Sequence, residues 1–487
     1  MEISDYRSIN AAKVTTYINL VKNHEKKTAF IIAMIFMVLA QAYINAQKFE
    51  GDAAGYWYFS SYIWNFSFPH TLRGYFYPFL LSPSKLIFEA IPESGYLAFY
   101  AIQAITFSYI LTIMLPDVFT RLIGGRVTLT RRVLPPIFIT IFFPGLVAYP
   151  LSDLTALCLI IASISLALSA SEQTNVARAL LLALLSGALA YGAYNTRTIY
   201  LFMIILLPVL MPVLILKGRT IAARTIITFS FVVGAAIAAT PQSLINQKYL
   251  DSPSPLVVAN INNVSLFAYQ LKWGITVQRY ETGYDAEAGV IFPVYYTDPV
   301  GERIFKDHDV GSANPTVSWY FRLLFSEPLS FLKIYTKHFI NGFDVRDGDP
   351  YTRVRSKENN ITSFASISVA ILGLFVLLML IFRESVAVTN NSRFKTVLPR
   401  LVWTVVLLIP VVAIVPGAIE TRFFLPLHLI AYCSIAFGLS INSLKLMPCR
   451  KLALLATIYF SIVVLCYISA KESISNPVYE VPKEYIQ

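Results

Sequence analysis

The chain has 487 residues, of which 56% are hydrophobic and 14% charged, and it carries a formal net charge of +11. So apolar a composition excludes an ordinary soluble domain. The basic excess argues against nucleic acid as a partner, because much of it falls in short loops where membrane topology and anionic headgroups account for it.

A mixed-charge segment, 1–28, contains Lys22, Lys26 and Lys27 and leads into the first apolar run. No small-residue cleavage site follows that run, so it reads as a retained span rather than a removed signal peptide. A helix needs about 20 apolar residues to cross the hydrocarbon, where it satisfies its own backbone. On that measure spans are predicted over 29–46, 97–116, 133–150, 154–170, 177–194, 198–216, 223–240, 362–382, 401–416, 423–441 and 452–469. The expected fold is an all-α polytopic membrane protein with about eleven transmembrane helices, interfacial helices and a large outer-face loop region. Segment 75–92 carries Pro78, Pro83, Lys85 and Glu89, which suits a helix lying at the interface.

The short loops set the orientation. Arg121, Arg126, Arg131 and Arg132 form one basic cluster, followed by Arg178, then Lys217, Arg219 and Arg224. Arg383, Arg393, Lys395 and Arg400 form the next, and Lys445, Arg450 and Lys451 the last. With 75–92 kept at the surface, all of these share the side of the N-terminus, which the positive-inside tendency makes cytoplasmic. The expected organisation is a cytoplasmic segment 1–28, a membrane core 29–240 with a first outer loop 47–96, an outer loop region 241–361, C-terminal spans 362–469 and an outer tail 470–487. The setting expected is an inner membrane, with the lipid bilayer itself as a partner.

The few ionisable residues on the outer side are the candidates for chemistry. Asp52 follows the first span in KFEGDAAGYWYFSSYIWN, between Gly51 and Gly55 and ahead of Tyr56, Trp57, Tyr58, Tyr62 and Trp64. An aromatic belt with an incidental acid is one reading. A carboxylate at the boundary that deprotonates a hydroxyl is the other, with Glu50 able to fill the same role and the aromatics free to stack on sugar or shield a lipid. Arg73, in HTLRGYFYP, lies on the same side and could contact an anion. Asp153 in AYPLSD opens a helix, where it or Ser152 would cap free N–H groups or make a charged contact. Arg197 in YGAYNTRTIY opposes the positive-inside tendency and has no acid near it in sequence, so it is either an interfacial accident or a phosphate ligand. In GAIETRFFLPLHLI, Glu420 and Arg422 share a tight turn that Gly417 helps make. They either neutralise each other or form a pocket in which Arg422 meets a phosphate and Glu420 orients it. His428 reads as a buried structural histidine.

Region 241–361 is too long for a connector. Its part WYFRLLFSEPLSFLKIYTKHFINGF interleaves aromatic and aliphatic residues with Arg322, Lys333, Lys337 and His338, as expected of amphipathic helices resting on the membrane or roofing a groove. Asp307, His308 and Asp309 are adjacent and read as solvated loop rather than a metal site. Cys158, Cys433, Cys449 and Cys466 have neither disulfide-framework nor metal-ligand spacing.

Four pieces, GDAAGYW, YPLSD, YNTRTIYLF and ETRFFLPL, give the chain a resemblance to membrane glycosyltransferases of the C-type superfamily, over roughly 29–240 and 400–441. The resemblance implies a multi-span enzyme that takes a sugar from a polyprenyl-phosphate donor. It implies that Asp52 is the base, that Asp153 organises donor or acceptor, and that Arg197, Arg422 and Arg73 grip the donor phosphate. Length and architecture are also similar to the serotype-converting transferases that glucosylate O-antigen. The expected function is transfer of a monosaccharide, a hexose such as glucose, to a cell-envelope glycan or lipid acceptor. No nucleotide or certain cofactor is implied, and a divalent cation is left open. An O-antigen polymerase or ligase, and a transporter or flippase of lipid-linked sugars, are the competing readings. The carrier reading is opposed by charges that gather at one mouth rather than at mid-membrane.

Overall fold

The structure, a computed structural model, describes residues 2–63, 73–261, 264–285, 290–311, 313, 315–351, 359–382, 390–440, 448–475 and 477–478. Trp64, Arg383, Lys445 and residues 479–487 lie outside the described residues, as do the side chains of Lys22, Arg393 and Lys395. In chain order the helices begin with α1 (Glu2–Ile44), α2 (Gly51–Phe59), α3 (Phe76–Ala90), α4 (Leu97–Leu122), α5 (Leu129–Phe142) and α6 (Gly145–Ala148). There follow α7 (Ser152–Glu172), α8 (Val176–Thr196), α9 (Thr198–Ile215) and α10 (Ile221–Leu250). Among the described residues ten helices are long and apolar enough to cross a membrane: Asn23–Ile44 within α1, α4, α7 to α10, and four C-terminal ones. Those four are Asn360–Phe382, Val397–Ile414, Thr421–Gly438 and Cys449–Ser473. The protein is an all-α polytopic membrane protein.

The span expected over 133–150 is not one continuous helix. It is α5 and α6, broken where Pro144 and Gly145 follow Phe143. Pro144 cannot donate a helical hydrogen bond, and Gly145 N–H instead donates to Gly348 O at 3.0 Å. A second difference is α10, which runs ten residues past the boundary expected at 240. Segment 75–92 forms the 15-residue α3, too short for a span and packed against α2, α4 and α8.

The helices pack through small residues. A Cβ on Gly187 of α8 would lie 1.9 Å from Phe231 O, and one on Gly234 of α10 would lie 1.9 Å from Leu184 O. Only glycine at both positions lets the two backbones meet. Ser163 of α7 and Ser186 of α8 exchange hydrogen bonds to each other's carbonyls, each 2.8 Å. In lipid, where burial of apolar surface drives little helix association, such contacts are what hold spans together.

Two ends of the bundle are distinct. At one, Arg131 at the start of α5 donates to Phe437 O at 2.8 Å and to Leu439 O at 2.7 Å, at the finish of Thr421–Gly438. Arg219 donates to Ser171 O at 2.9 Å, at the finish of α7, and Arg400 to Leu380 O at 3.0 Å. The starts of α7 and of Thr421–Gly438 therefore lie together at the opposite end.

A layer built from region 251–351 covers that opposite end, and it holds structure the sequence pattern did not announce. A short ladder pairs β1 (Asn260–Ile261) with β2 (Val264–Ser265), and α11 (Leu266–Thr276) follows. An antiparallel hairpin then pairs β3 (Val277–Asp285) with β4 (Val290–Thr297), in one register from Arg279 opposite Tyr296 to Asp285 opposite Val290, with a shift between Arg279 and Val277, which lies opposite Thr297. After it come α12 (Pro299–Asp307), α13 (Val317–Ser326) and α14 (Pro328–Phe343), then the spans α15 (Asn360–Phe382), α16 (Asn390–Ile414), α17 (Thr421–Gly438) and α18 (Cys449–Ser473). The C-terminal β5 (Pro477–Val478) returns to pair with β4. The layer is tied to the turn before α17 by Tyr280 N–H donating to Ile419 O at 2.8 Å and by His338 Nδ1 at 2.7 Å from Val415 O.

Candidate active site

Beneath that layer the chain brings together six charged residues from five separate stretches. Asp52 comes from the first turn of α2, and Asp153 from the first turn of α7. Arg197 sits at the junction of α8 and α9, and Glu420 and Arg422 at the start of α17. Arg73 lies just before α3. A Cβ on the next residue, Gly74, would stand 2.0 Å from Asn195 O. Glycine there allows the first loop to press onto the end of α8, and Asn195 Oδ1 secures the contact by accepting from Phe76 N–H at 2.8 Å.

The charges alternate in a chain. Arg73 Nη2 lies 2.6 Å from Asp52 Oδ1, and Asp52 Oδ2 lies 3.7 Å from Arg422 Nη2. Arg422 Nη1 lies 3.9 Å from Asp153 Oδ2, and Asp153 Oδ1 accepts from Arg197. Glu420 Oε1 lies 2.8 Å from Arg422 Nε. One guanidinium, Arg422, thus serves three carboxylates. The Arg73–Asp52 side is open, with 46% and 38% of the two side chains exposed, whereas Asp153 and Glu420 are buried. Phe423 forms an aromatic wall, its ring centroid 4.7 Å from the Arg197 guanidinium and 5.6 Å from that of Arg422.

The two outlying carboxylates are tuned in opposite directions. Burial pushes Asp52 up, but the positive charges of Arg73 and Arg422 and the hydrogen bond from Arg73 outweigh it, and its pKa lies below the usual carboxylate range. Burial also pushes Glu420 up, and there the opposing pull of Arg422 is insufficient, with Asp153 and Asp52 adding like-charge repulsion. Glu420 therefore holds its proton more tightly than an ordinary glutamic acid, and its Oε2 has no hydrogen-bond partner among the described residues.

Of the eight residues singled out in the sequence, six meet here. Glu50 faces elsewhere: its carboxylate pairs with Lys48 at 2.7 Å, while its carbonyl accepts from Tyr351 Oη at 2.7 Å. Tyr56 is buried, with its hydroxyl 3.2 Å from Ser152 Oγ and its ring 5.6 Å from the Arg73 guanidinium, so it packs beneath the site instead of offering a face for stacking. Neither Ser152 nor Asp153 caps α7, whose N-cap is Leu151 with no side-chain bond. Asp153 is committed to the arginines. Glu420 and Arg422 do pair, yet Arg422 also reaches two further acids. His428 is buried between Gly342 O at 2.9 Å and Tyr432 Oη at 3.3 Å, a structural placement.

Sequence reading missed the segment Asp344–Tyr351, DVRDGDPY. Tyr351 Oη accepts from Ala53 N–H at 3.1 Å, which fixes the helix that carries Asp52. Four acids and bases within six residues, directly after an aromatic helix, were the available signal. Beside the site, an apolar groove of about 800 Å³ runs between α3 and α10, lined by Phe76, Phe79, Ile237, Leu244 and Ile245 with Lys248 at its edge. Its lining includes Tyr75, two residues beyond Arg73 in the chain. Among the described residues no cluster of His, Cys, Asp and Glu has the makings of a metal site. No family model matches the chain, and no curated protein matches it.

Proposed function

We propose that the protein is a membrane glycosyltransferase that moves a monosaccharide, a hexose such as glucose, from a polyprenyl-phosphate donor to a glycan or lipid-linked acceptor of the cell envelope. The reaction belongs at the roofed end of the bundle, which is the outer face if the basic loops at the other end are cytoplasmic, as the positive-inside tendency requires in an inner membrane. The observation that carries the reading is the meeting of Arg73, Arg197 and Arg422 with Asp52, Asp153 and Glu420 beside an apolar groove. Three guanidiniums carry five N–H donors each, more than three carboxylates can use. The surplus suits a phosphate, and the groove suits the prenyl tail attached to it.

The chemistry is a single displacement. The acceptor hydroxyl loses its proton to Asp52, its oxygen bonds to the anomeric carbon, and the bond from that carbon to the phosphate oxygen breaks. The electron pair leaves on the polyprenyl phosphate, whose growing charge the arginines stabilise. One base and one displacement invert the anomeric configuration. The energy lies in the sugar–phosphate bond, so no nucleotide takes part. Asp153 and Glu420 hold Arg197 and Arg422 in place.

The test is transfer of labelled hexose from synthetic polyprenyl-phosphate hexoses to an envelope acceptor extract, wild type beside Asp52→Asn. Loss of a general base lowers the rate by roughly 10²–10⁴-fold, with donor binding retained. Equal transfer by both proteins removes Asp52 from the chemistry. Transfer from no donor removes the transferase reading and favours polymerisation or transport of lipid-linked glycan.

A further inference from the structure

A second group of buried charges, outside the six-residue cluster, joins β3 to the segment Asp344–Tyr351. Asp344 has no exposed side-chain surface, and its Oδ2 accepts from Arg279 Nη1 and Arg346 Nε, each at 2.7 Å. Its Oδ1 accepts from Ser363. Arg279 Nη2 meets Glu281 at 2.5 Å, and Arg346 Nη1 lies 3.3 Å from Asn360 Oδ1. Two donors remain. Arg346 Nη2 and Arg279 Nε have no partner among the described residues, although the side chains are 0% and 3% exposed. Leaving a buried donor unpaired costs its full desolvation, so this arrangement is unfavourable unless something accepts from it.

Both arginines line a cavity together with Glu281, Asp347, Asp349 and Glu420. It encloses about 50 Å³ and is partly open to solvent. Glu420 Oε2, also unpartnered, is a buried acceptor on the same wall. The lining decides the ligand class. A small anion would face four carboxylates, and a metal cation would face Arg279, Arg346 and Arg422. An apolar group would leave every orphaned atom unpaired. A neutral polyol uses both signs, since each hydroxyl donates once and accepts twice. A single sugar ring can accept from the arginines and donate to the carboxylates.

We infer that this cavity is a sugar-binding subsite for the acceptor, taking a neutral, hydroxyl-rich glycan unit between β3 and the Asp344–Tyr351 segment. Glu420 and Arg422 belong to both the cavity and the charged cluster, so a glycan seated here directs a neighbouring hydroxyl toward Asp52. The role as acceptor site rests on the transferase reading; the binding of sugar does not.

The test uses full-length protein in nanodiscs, with methyl hexopyranosides and neutral oligohexosides as probes and saturation-transfer NMR as the readout. Asp347→Asn keeps the oxygen that accepts from Asp349 N–H at 3.3 Å, and Glu281→Gln is the second variant. Both are expected to weaken glycoside binding about tenfold and to raise the acceptor KM by a similar factor, while inorganic phosphate fails to displace the glycosides. Glycosides that ignore the wild type, bind both variants as well as wild type, or are displaced by phosphate overturn the subsite. If no donor is ever turned over but glycoside binding still falls in the variants, the transferase reading fails and the subsite stands. If transfer proceeds with the acceptor KM unmoved in both variants, the subsite fails and the transferase stands.

Discussion

Most arginines do two different jobs at the two ends of this bundle, the exception being Arg121, which pairs with Asp117 and Glu172 at the unroofed end. At the unroofed end, Arg131, Arg132, Arg219 and Arg400 donate to backbone carbonyls, mostly where helices finish. The carbonyls at helix ends have no partner inside their own helices and carry the negative end of the helix dipole, so a guanidinium both satisfies and neutralises them. At the roofed end, Arg73, Arg197, Arg422, Arg279 and Arg346 face carboxylates instead. A backbone carbonyl is a fixed acceptor that no ligand replaces. A carboxylate is a mobile charge that can take a proton, swing or share its partner with a substrate. The first arrangement closes the fold, and the second leaves donors and acceptors available for chemistry.

The largest effect that would break this contrast is expected at Arg422. Removing it by Arg422→Gln leaves Glu420, Asp153 and Asp52 without their shared cation, two of them buried. Breaking a buried ion pair by removing one partner costs about 3–5 kcal/mol. A large fall in the thermal midpoint of the detergent-solubilised protein and loss of hexose transfer are therefore expected together. Adding Glu420→Gln in the same chain takes away one of the stranded charges and is expected to restore part of the midpoint without restoring transfer. If Arg422→Gln alone melts like wild type, Arg422 does not hold the cluster together.

The next effect is on pH dependence. Glu420 has its proton affinity raised in the folded state, so the folded chain binds more protons than the unfolded chain between the ordinary glutamic acid value and the raised one. Stability contributed by that group is present below this window and falls as pH rises through it. Asp52 has the opposite sign: its contribution is present above the ordinary aspartic acid value and is lost as pH falls through the lowered one. Melting across pH 4–8 is expected to show the Glu420 decline in wild type and a flatter profile in Glu420→Gln. An unchanged slope in the variant would show that another group sets it.

The membrane spans could be read from the sequence because each is a local property, a run of apolar residues of sufficient length. The six residues of the charged cluster could be named for a related reason, since an ionisable residue at the mouth of an apolar run is conspicuous where it stands. Apart from Glu420 with Arg422, their pairing was out of reach. Asp153 and Arg197 are 44 residues apart, and no local pattern links them. The hairpin β3–β4 escaped because VQRYETGYD and VIFPVYYT lie in a part of region 241–361 for which no secondary structure was expected, and the fold ties it to the site end through Tyr280 N–H and Ile419 O. The helix break at Pro144 was signalled by FFPGL but was hidden inside a run long enough to span. Arg279 and Arg346 stood in a long loop, where a charge is ordinarily solvated, and only the fold buries them.

The smallest effect sharpens the contrast from the other end. Arg131→Gln removes two charge-assisted bonds to Phe437 O and Leu439 O. Hydrogen bonds to a charged group are worth about 1.5–3 kcal/mol each when buried, and water reaches this end of the bundle, so a loss near 1–2 kcal/mol is the expected scale. The thermal midpoint should fall by a few degrees. Transfer per folded molecule, measured below the onset of melting, should match wild type, because nothing at the unroofed end touches Asp52, Arg422 or the groove. A fall in transfer that outruns the fall in folded protein would mean that the two ends are coupled through α5 and its break at Pro144, and that the arginines capping helix ends also set the geometry of those facing carboxylates.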